Sequence, residues 1–233
     1  MKPDQGLLLI HLSVLVTSVA PFATSTLAET RRATPDSFLA RVETLALIET
    51  LNGRLLAAGS ATATLEKWCA DHRMASPAKI IARRITGADH APSPETRRRL
   101  KAEHGETIRY RHVQLVCGTH VLSEADNWYV PARLPAEANT LLETGDTPFG
   151  KAVQSLHPSR QTIDAKILWS PLSEGWEMKA PTTDALSEPP RYLVEHRALL
   201  VTPEHIPISE VEEHYTREIL DFNGGDTTQS HKR

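Results

Sequence analysis

The chain has 233 residues, of which 40% are hydrophobic and 24% are charged, and its formal net charge is −3 at pH 7. These values are typical of a globular protein and argue against wholesale disorder. Because Lys and Arg are not in surplus, they also argue against a general nucleic-acid binder. Two cysteines are too few for a disulfide-dense scaffold or for a zinc site made of cysteine alone.

The N-terminal segment has the layout of a secretory signal peptide. Residues 6–22 carry no Asp, Glu, Lys or Arg, Lys2 precedes them, and small residues follow as far as Ala28. We therefore expect residues 1–28 to be a cleaved leader and the mature protein to be periplasmic or secreted, with no membrane association after cleavage. A misassigned start site would instead leave a cytoplasmic protein.

A polar linker and a helix are predicted over residues 29–59. After Ser37, apolar residues recur every three or four positions, which is the spacing of one helix face. These residues are Phe38, Val42, Leu45, Ile48, Leu51 and Leu55. A second helix is predicted over 63–72, capped by Ser60 or Thr62.

Alternating or apolar runs predict the strands of the domain. The predicted strands are 79–85, 107–117, 121–130, 160–169 and 192–202. Gly118-Thr119 is a turn signal between the second and third of them. Because hairpin-like turns join the strands and no βαβ alternation occurs, the pattern indicates an α+β fold with an antiparallel sheet covered by helices.

The remaining segments are predicted to be helical or disordered. Short helices are expected over 136–142 and after the turn 145–150. Residues 209–220 are predicted to form an amphipathic helix, because Ser209 can cap it and Glu212 follows three residues later. The domain is thus predicted over 60–222, followed by a disordered tail over 223–233.

The cysteines and histidines offer no complete metal site. Cys69 and His72 can share one helix face, but two further ligands are missing, so we predict no metal. In an oxidising compartment, Cys69 and Cys117 can form a disulfide; otherwise they are two small buried hydrophobic residues. The sequence leaves both alternatives open.

Three features point to recognition of an anion. The turn 145–150 leads into a helix whose first N–H groups can bind an anion, although an ordinary capped helix fits equally. Glu195 lies among apolar residues and is a candidate acid or base, or else a solvent-facing partner of Arg197. Basic side chains on the strands need anionic partners if they face inward. They are Arg83, Arg109, Arg111, His112, Arg160 and Arg197.

Five short segments share one family pattern. Leu115-Val116-Cys117-Gly118 and Tyr129-Val130-Pro131 end two predicted strands, and Asp146-Thr147-Pro148-Phe149-Gly150 precedes a helix. Leu193-Val194-Glu195 and the helix start Ser60-Ala61-Thr62 complete the set. On these residues the chain resembles the chorismate lyase-like family, in which a glutamate of the C-terminal strand faces the ligand.

The resemblance implies a carbon–oxygen lyase that needs no cofactor. Such an enzyme removes the enolpyruvyl group of chorismate as pyruvate and leaves 4-hydroxybenzoate, a precursor of ubiquinone. By the same resemblance, the N–H groups of Phe149 and Gly150 hold one carboxylate of the ligand, and Thr62 is a further substrate-binding residue. Glu195 acts at the ring end as a proton carrier or hydrogen-bond donor.

The resemblance also implies a catalytic cation on the strand that ends at Cys117. Counting five residues back from this cysteine gives His112, with Arg111 beside it. Neighbouring strand residues point to opposite faces, so only one of the two can face the ligand unless the strand contains a bulge. The sequence leaves both residues as candidates.

Two other functions stay open beside the lyase. The same architecture is similar to the ligand-sensing domain of a family of bacterial transcription regulators, which implies a non-catalytic binder of a small anionic ligand. A purely structural protein is the remaining alternative. In each case we expect a monomer whose partner, if any, is a small molecule.

Overall fold

The computed structural model of the protein describes residues 38–87, 89–178 and 188–222. The predicted leader, the predicted linker before residue 38 and the predicted disordered tail lie outside the described residues. Within the described part, no helix has both the length and the apolar character needed to cross a membrane.

The described elements are five helices, six strands and three short 3₁₀ turns. The helices are α1 (Phe38–Ala57), α2 (Ala61–Asp71), α3 (Pro94–Arg99), α4 (Ala136–Thr144) and α5 (Phe149–Ala152). The strands are β1 (Ile80–Ile85), β2 (Arg109–Cys117), β3 (His120–Tyr129), β4 (Ser159–Ile167), β5 (Tyr192–Val201) and β6 (Pro207–Thr216). The 3₁₀ turns are Pro131–Arg133, Gln154–Leu156 and Arg217–Leu220.

The six strands form one antiparallel sheet in the order β1-β2-β3-β6-β5-β4. The last strand of the chain therefore lies near the centre of the sheet, and β1 and β4 are its edges. The predicted fold class, an α+β domain with an antiparallel sheet covered by helices, is confirmed.

Alternation along the strands gives the sheet an inner face and an outer face. On β2, the inner face carries Arg111, Val113 and Leu115, whereas His112 and Gln114 belong to the outer face. Helices α1 and α2 cover the inner face and form the main core with it. This core includes Ile48, Leu51, Leu55, Leu65, Trp68, Leu115, Ala125, Ala198, Val211 and Tyr215.

The expectation of a helix over residues 209–220 is wrong. Residues 209–216 belong to β6, which pairs with β3 on one side and β5 on the other, and Arg217–Leu220 is a 3₁₀ turn. The local preference for a helix is overridden because two ladders of backbone hydrogen bonds hold this segment in the sheet. As a consequence, Ser209, Val211 and Glu213 point to the inner face.

A disulfide joins helix α2 to strand β2. Cys69 and Cys117 are fully buried, their Cα atoms lie 6.2 Å apart, and their sulfur atoms are bonded. The next residue, Gly118, opens the predicted hairpin turn with a φ of +58°, where an added Cβ would lie 2.8 Å from the Cβ of Ala75. Glycine is therefore needed both for the backbone conformation and for the close packing at this corner.

Candidate functional site

A cavity of about 860 Å³ lies between the inner face of the sheet and the beginnings of α2 and α5. This volume is in the range of pockets that enclose small organic molecules. Most of the wall is apolar. The apolar residues include Val113, Leu115, Ala125, Phe149, Leu200 and Val211. The buried charged groups of the wall occupy two places, one at Arg111 and one at Arg160 and Glu213. Less buried charged or titratable side chains also line it, among them Arg54, Glu66, Lys67, Lys151 and His157.

Arg111 is a buried cation on the cavity wall. Its side chain is on the inner face of β2, and the residue is only 2% exposed. Its Nη2 donates to the backbone oxygens of Thr147 (3.0 Å) and Gly145 (3.5 Å), while its Nε has no partner in the described part of the chain. Burial, followed by the nearby charge of Arg84, lowers its pKa. No carboxylate among the described residues pairs with it. A bound anion would therefore neutralise its charge.

Backbone donors of two helix starts also line the cavity. In α2, the cap Ser60 accepts a hydrogen bond from the N–H of Ala63, and the N–H groups of Ala61 and Thr62 have no partner within the described chain. In α5, the N–H groups of Phe149 and Gly150 are likewise unpaired with any described residue. Such unpaired donors at helix starts favour an anion.

The two helix starts touch each other at Gly150. A Cβ added to Gly150 would lie 3.3 Å from Ser60 Oγ and 3.4 Å from Thr62 Oγ1. The absence of a side chain at this position therefore lets the start of α5 approach the start of α2 closely. This contact brings the donors of both helices to the same cavity wall.

The second polar place is a buried ion pair between β4 and β6. Arg160 Nη2 lies 2.6 Å from Glu213 Oε2, and the side chains are almost fully buried. The hydroxyl of Tyr215 donates to the same carboxylate at 2.9 Å. Burial, the largest single cause, lowers the pKa of Arg160, but the charge of Glu213, the influence of Tyr215 and the hydrogen bond to Glu213 together outweigh it, and the net shift is upward. Unlike Arg111, Arg160 already has its counter-ion.

Comparison with known proteins identifies a relative for nearly the whole chain. No protein-family model matches the sequence. The uncharacterized protein y4mC of Sinorhizobium fredii is 46% identical over 211 residues, which cover 89% of each chain. The chain belongs to the y4mC family. The high shared coverage indicates that both members have this domain in common.

Solved structures resemble this y4mC-family chain only distantly. The effector domain of PhnF from Mycobacterium smegmatis is 11% identical, with a TM-score of 0.44, covering 69% of this chain and 90% of that one. The effector-binding domain of the B. subtilis trehalose repressor is 14% identical, with a TM-score of 0.37, covering 65% of this chain and 99% of that one. Since both TM-scores are below 0.5, these two likenesses carry no functional conclusion.

Four of the six residues predicted for the site line the cavity of this y4mC-family chain. Arg111, Thr62, Phe149 and Gly150 are all on its wall. Between the two alternatives on β2, Arg111 is the inward-facing residue. His112 is on the outer face, where its Nδ1 lies 2.8 Å from Asp126 Oδ1.

The expectation that Glu195 faces the ligand is wrong. Its carboxylate is on the outer face of β5, 3.0 Å from Lys166 Nζ and 3.3 Å from His214 Nε2. The inward-facing neighbour is His196, because adjacent strand residues alternate between the faces. The carboxylates that line the cavity are instead Glu213 and Glu66, and the latter lies 2.7 Å from Lys151 Nζ. The alternation of Val211, Glu213 and Tyr215 is the signal that could have found it, had this segment been predicted as a strand.

Breaking the buried ion pair has a predictable effect on stability. We expect Arg160→Met to lower the free energy of unfolding by about 3 kcal/mol, because the carboxylate of Glu213 is left buried without its counter-ion. The double variant Arg160→Met/Glu213→Leu should recover most of this loss. Urea unfolding of both variants measures the difference. Equal losses in the single and double variants would show that the charge is not the cause.

His196 makes stability depend on pH. It is buried, its Nε2 lies 2.8 Å from Asn52 Oδ1, and its Nδ1 has no partner. Burial, followed by the charge of Arg160, lowers its pKa. The unfolded chain, with a His pKa of about 6.5, therefore binds this proton more readily. The stabilisation that depends on neutral His196 is fully present above a pH of about 6.5, the pKa of the unfolded chain. It is lost as the pH falls through the lower pKa of His196 in the folded chain.

We expect the free energy of unfolding to decline as the pH is lowered from 7 to 5, and to decline less in a His196→Gln variant. Urea unfolding at several pH values gives both curves. The difference between the two curves gives the contribution of His196 to the pH dependence, separate from the contributions of the carboxylates and the other histidines. Parallel curves would contradict the assignment.

Proposed function

We propose that the protein binds a small organic anion in the cavity, with the carboxylate of the ligand at Arg111. The observation that carries this proposal is a buried guanidinium with an unpartnered Nε and no acidic partner among the described residues. A buried unpaired charge is costly, and a bound carboxylate would remove that cost. The N–H groups of Thr62, Phe149 and Gly150, which have no hydrogen-bond partner among the described residues, supply further donors.

The size and lining of the cavity support a ligand with one apolar ring or a short apolar chain. In the ladder, Glu213 is two strands away from Val113, which is the next inward-facing residue after Arg111. With strands about 4.8 Å apart and residues about 3.4 Å apart, the Cα atoms of Arg111 and Glu213 are roughly 12 Å apart. Because both side chains extend into the cavity, the space between their charged groups is shorter than this and suits a small aromatic acid with its carboxylate at Arg111.

Binding without catalysis is the alternative that the geometry favours. Of the two carboxylates on the wall, Glu213 faces Arg160 and accepts a hydrogen bond from Tyr215, and Glu66 pairs with Lys151, so both serve as acceptors. The proton carrier that the family resemblance implied, Glu195, is on the other face of the sheet. A chorismate lyase activity remains the second candidate, because a carboxylate and a cation do share the cavity.

Titration of the full chain with matched ligands tests the binding proposal. We expect benzoate and 4-hydroxybenzoate to bind, and the uncharged benzamide and 4-hydroxybenzamide to bind at least about tenfold more weakly, since they lack the charge that pairs with Arg111. Isothermal titration calorimetry gives the affinities. If no acid binds, or if amides bind as tightly as acids, the proposal fails.

A turnover assay separates the two candidate functions. The full chain is incubated with chorismate, and release of 4-hydroxybenzoate is followed against a protein-free control. A binder gives no release above the control. Release that is abolished in a Glu213→Gln variant would instead establish the lyase, with Glu213 in the role that the resemblance assigned to Glu195.

We also propose that the protein works outside the cytoplasm. The Cys69–Cys117 disulfide supports an oxidising compartment, because such bonds are rare where thiols are kept reduced. Cell fractionation, with sequencing of the mature N-terminus, tests this proposal. Recovery of reduced, uncleaved protein from the cytoplasm would overturn it.

A further inference from the structure

Strand β4 is an edge of the sheet with an unusually open surface. No other strand within the described ranges pairs with its outward side. Residues 161–168 are all exposed, including the apolar side chains of Ile163 (41%), Ile167 (36%) and Leu168 (43%). Exposed edges with apolar side chains are templates for pairing with another strand.

The backbone of β4 presents hydrogen-bonding groups outward at alternate residues. The N–H of Leu168 donates to the oxygen of Leu193 on β5 at 2.8 Å. In an antiparallel ladder the direction alternates, so Lys166 also faces β5 and the N–H and C=O groups of Ala165 and Ile167 point away from it. Ala165 is therefore free to exchange two hydrogen bonds with an antiparallel strand.

Two copies of β4 have complementary side chains when they are placed antiparallel with Ala165 of one copy opposite Ala165 of the other. In that register, Asp164 of one copy is opposite Lys166 of the other, and Ile167 lies near Ile163, which is at the bulge between Thr162 and Asp164. Each pair occurs twice because of the two-fold symmetry. Opposite charges and matched β-branched residues are the cross-strand pairs that stabilise antiparallel strands.

We propose that β4 pairs with β4 of a second copy of this chain, which joins two sheets into one continuous antiparallel sheet. The bulge limits regular pairing to the residues from Asp164 onward, and the charge of Lys166 disfavours an apolar or basic strand at this edge. Lys166 Nζ lies 2.7 Å from Asp164 and 3.0 Å from Glu195 of its own chain. In the self-paired register it also faces Asp164 of the second copy, so the charges favour this partner. The proposal is independent of the ligand site and replaces the sequence-based expectation of a monomer.

Charge reversal on β4 tests the dimer. We expect sedimentation velocity of the full chain to show a concentration-dependent dimer. In the Asp164→Lys variant, residues 164 and 166 are both lysines, and the two lysines of one copy face the two of the other. In the Lys166→Asp variant, both positions are aspartates, which face each other in the same way. Each variant should weaken dimerisation by roughly tenfold or more, since two attractive pairs become repulsive. Arg98→Glu, a reversal on the exposed face of α3, is the matched control and should leave the dimer unchanged.

Mixing the two variants provides the decisive result. In a mixed pair, the two lysines of the Asp164→Lys chain face the two aspartates of the Lys166→Asp chain. A heterodimer should therefore form from two variants that dimerise poorly alone. Far-UV circular dichroism of each variant confirms that it is folded. A monomeric wild-type chain would overturn the proposal. So would a dimer that both charge reversals leave intact, or variants that fail to associate when mixed.

Discussion

We expect the Arg111→Met variant to bind organic anions about 100-fold more weakly than the wild-type chain, since it loses charge-assisted hydrogen bonds to the ligand. Its free energy of unfolding should not fall. Methionine fills similar space and removes a buried charge that has no acidic partner among the described residues. Relief from that desolvation cost offsets the lost hydrogen bonds to Thr147 and Gly145.

Calorimetric titration with benzoate and urea unfolding measure the two effects of Arg111→Met separately. The matched control is His112→Met, which changes the neighbouring residue on the outer face and should leave affinity unchanged. Arg111→Lys keeps the charge but not the planar fork, and we expect an intermediate affinity. Wild-type affinity in Arg111→Met, or a loss of affinity in His112→Met, would contradict the assignment of Arg111 as the anion-binding residue.

Removal of the disulfide should cause the largest loss of stability. Cys69 and Cys117 are separated by 48 positions in the sequence. For a closed loop of this length, the chain-entropy model gives a stabilisation of about 4 kcal/mol, because the bond restricts the unfolded chain. We therefore expect the Cys69→Ala/Cys117→Ala variant to lose about this much free energy of unfolding, as measured in urea.

Reduction of the wild-type chain under unfolding conditions provides the matched control. It breaks the same bond without removing the sulfur atoms from the core, so it separates loss of the crosslink from loss of packing. The two experiments should agree to within the small packing contribution of the two side chains. A loss below about 1 kcal/mol in both would contradict a stabilising crosslink between α2 and β2.

Much of the fold and part of the site could be predicted from local patterns. The alternation in β2, the turn at Gly118 and the helix start at Ser60 each have a local physical cause, and the structure confirms them. Phe149 and Gly150 could be placed at a helix start because Pro148 and the preceding turn residues fix the local backbone. Both residues line the cavity.

By itself, the sequence determined the periodic elements and the short turns between them, since these depend on neighbouring residues. Only the tertiary structure decided that residues 209–216 form a central strand, that Arg111 rather than His112 faces inward, and that Glu195 faces outward. It also decided that Cys69 reaches Cys117. The physical reason is that pairing with distant strands selects the conformation of β6, and covering helices select which face of an alternating strand is buried.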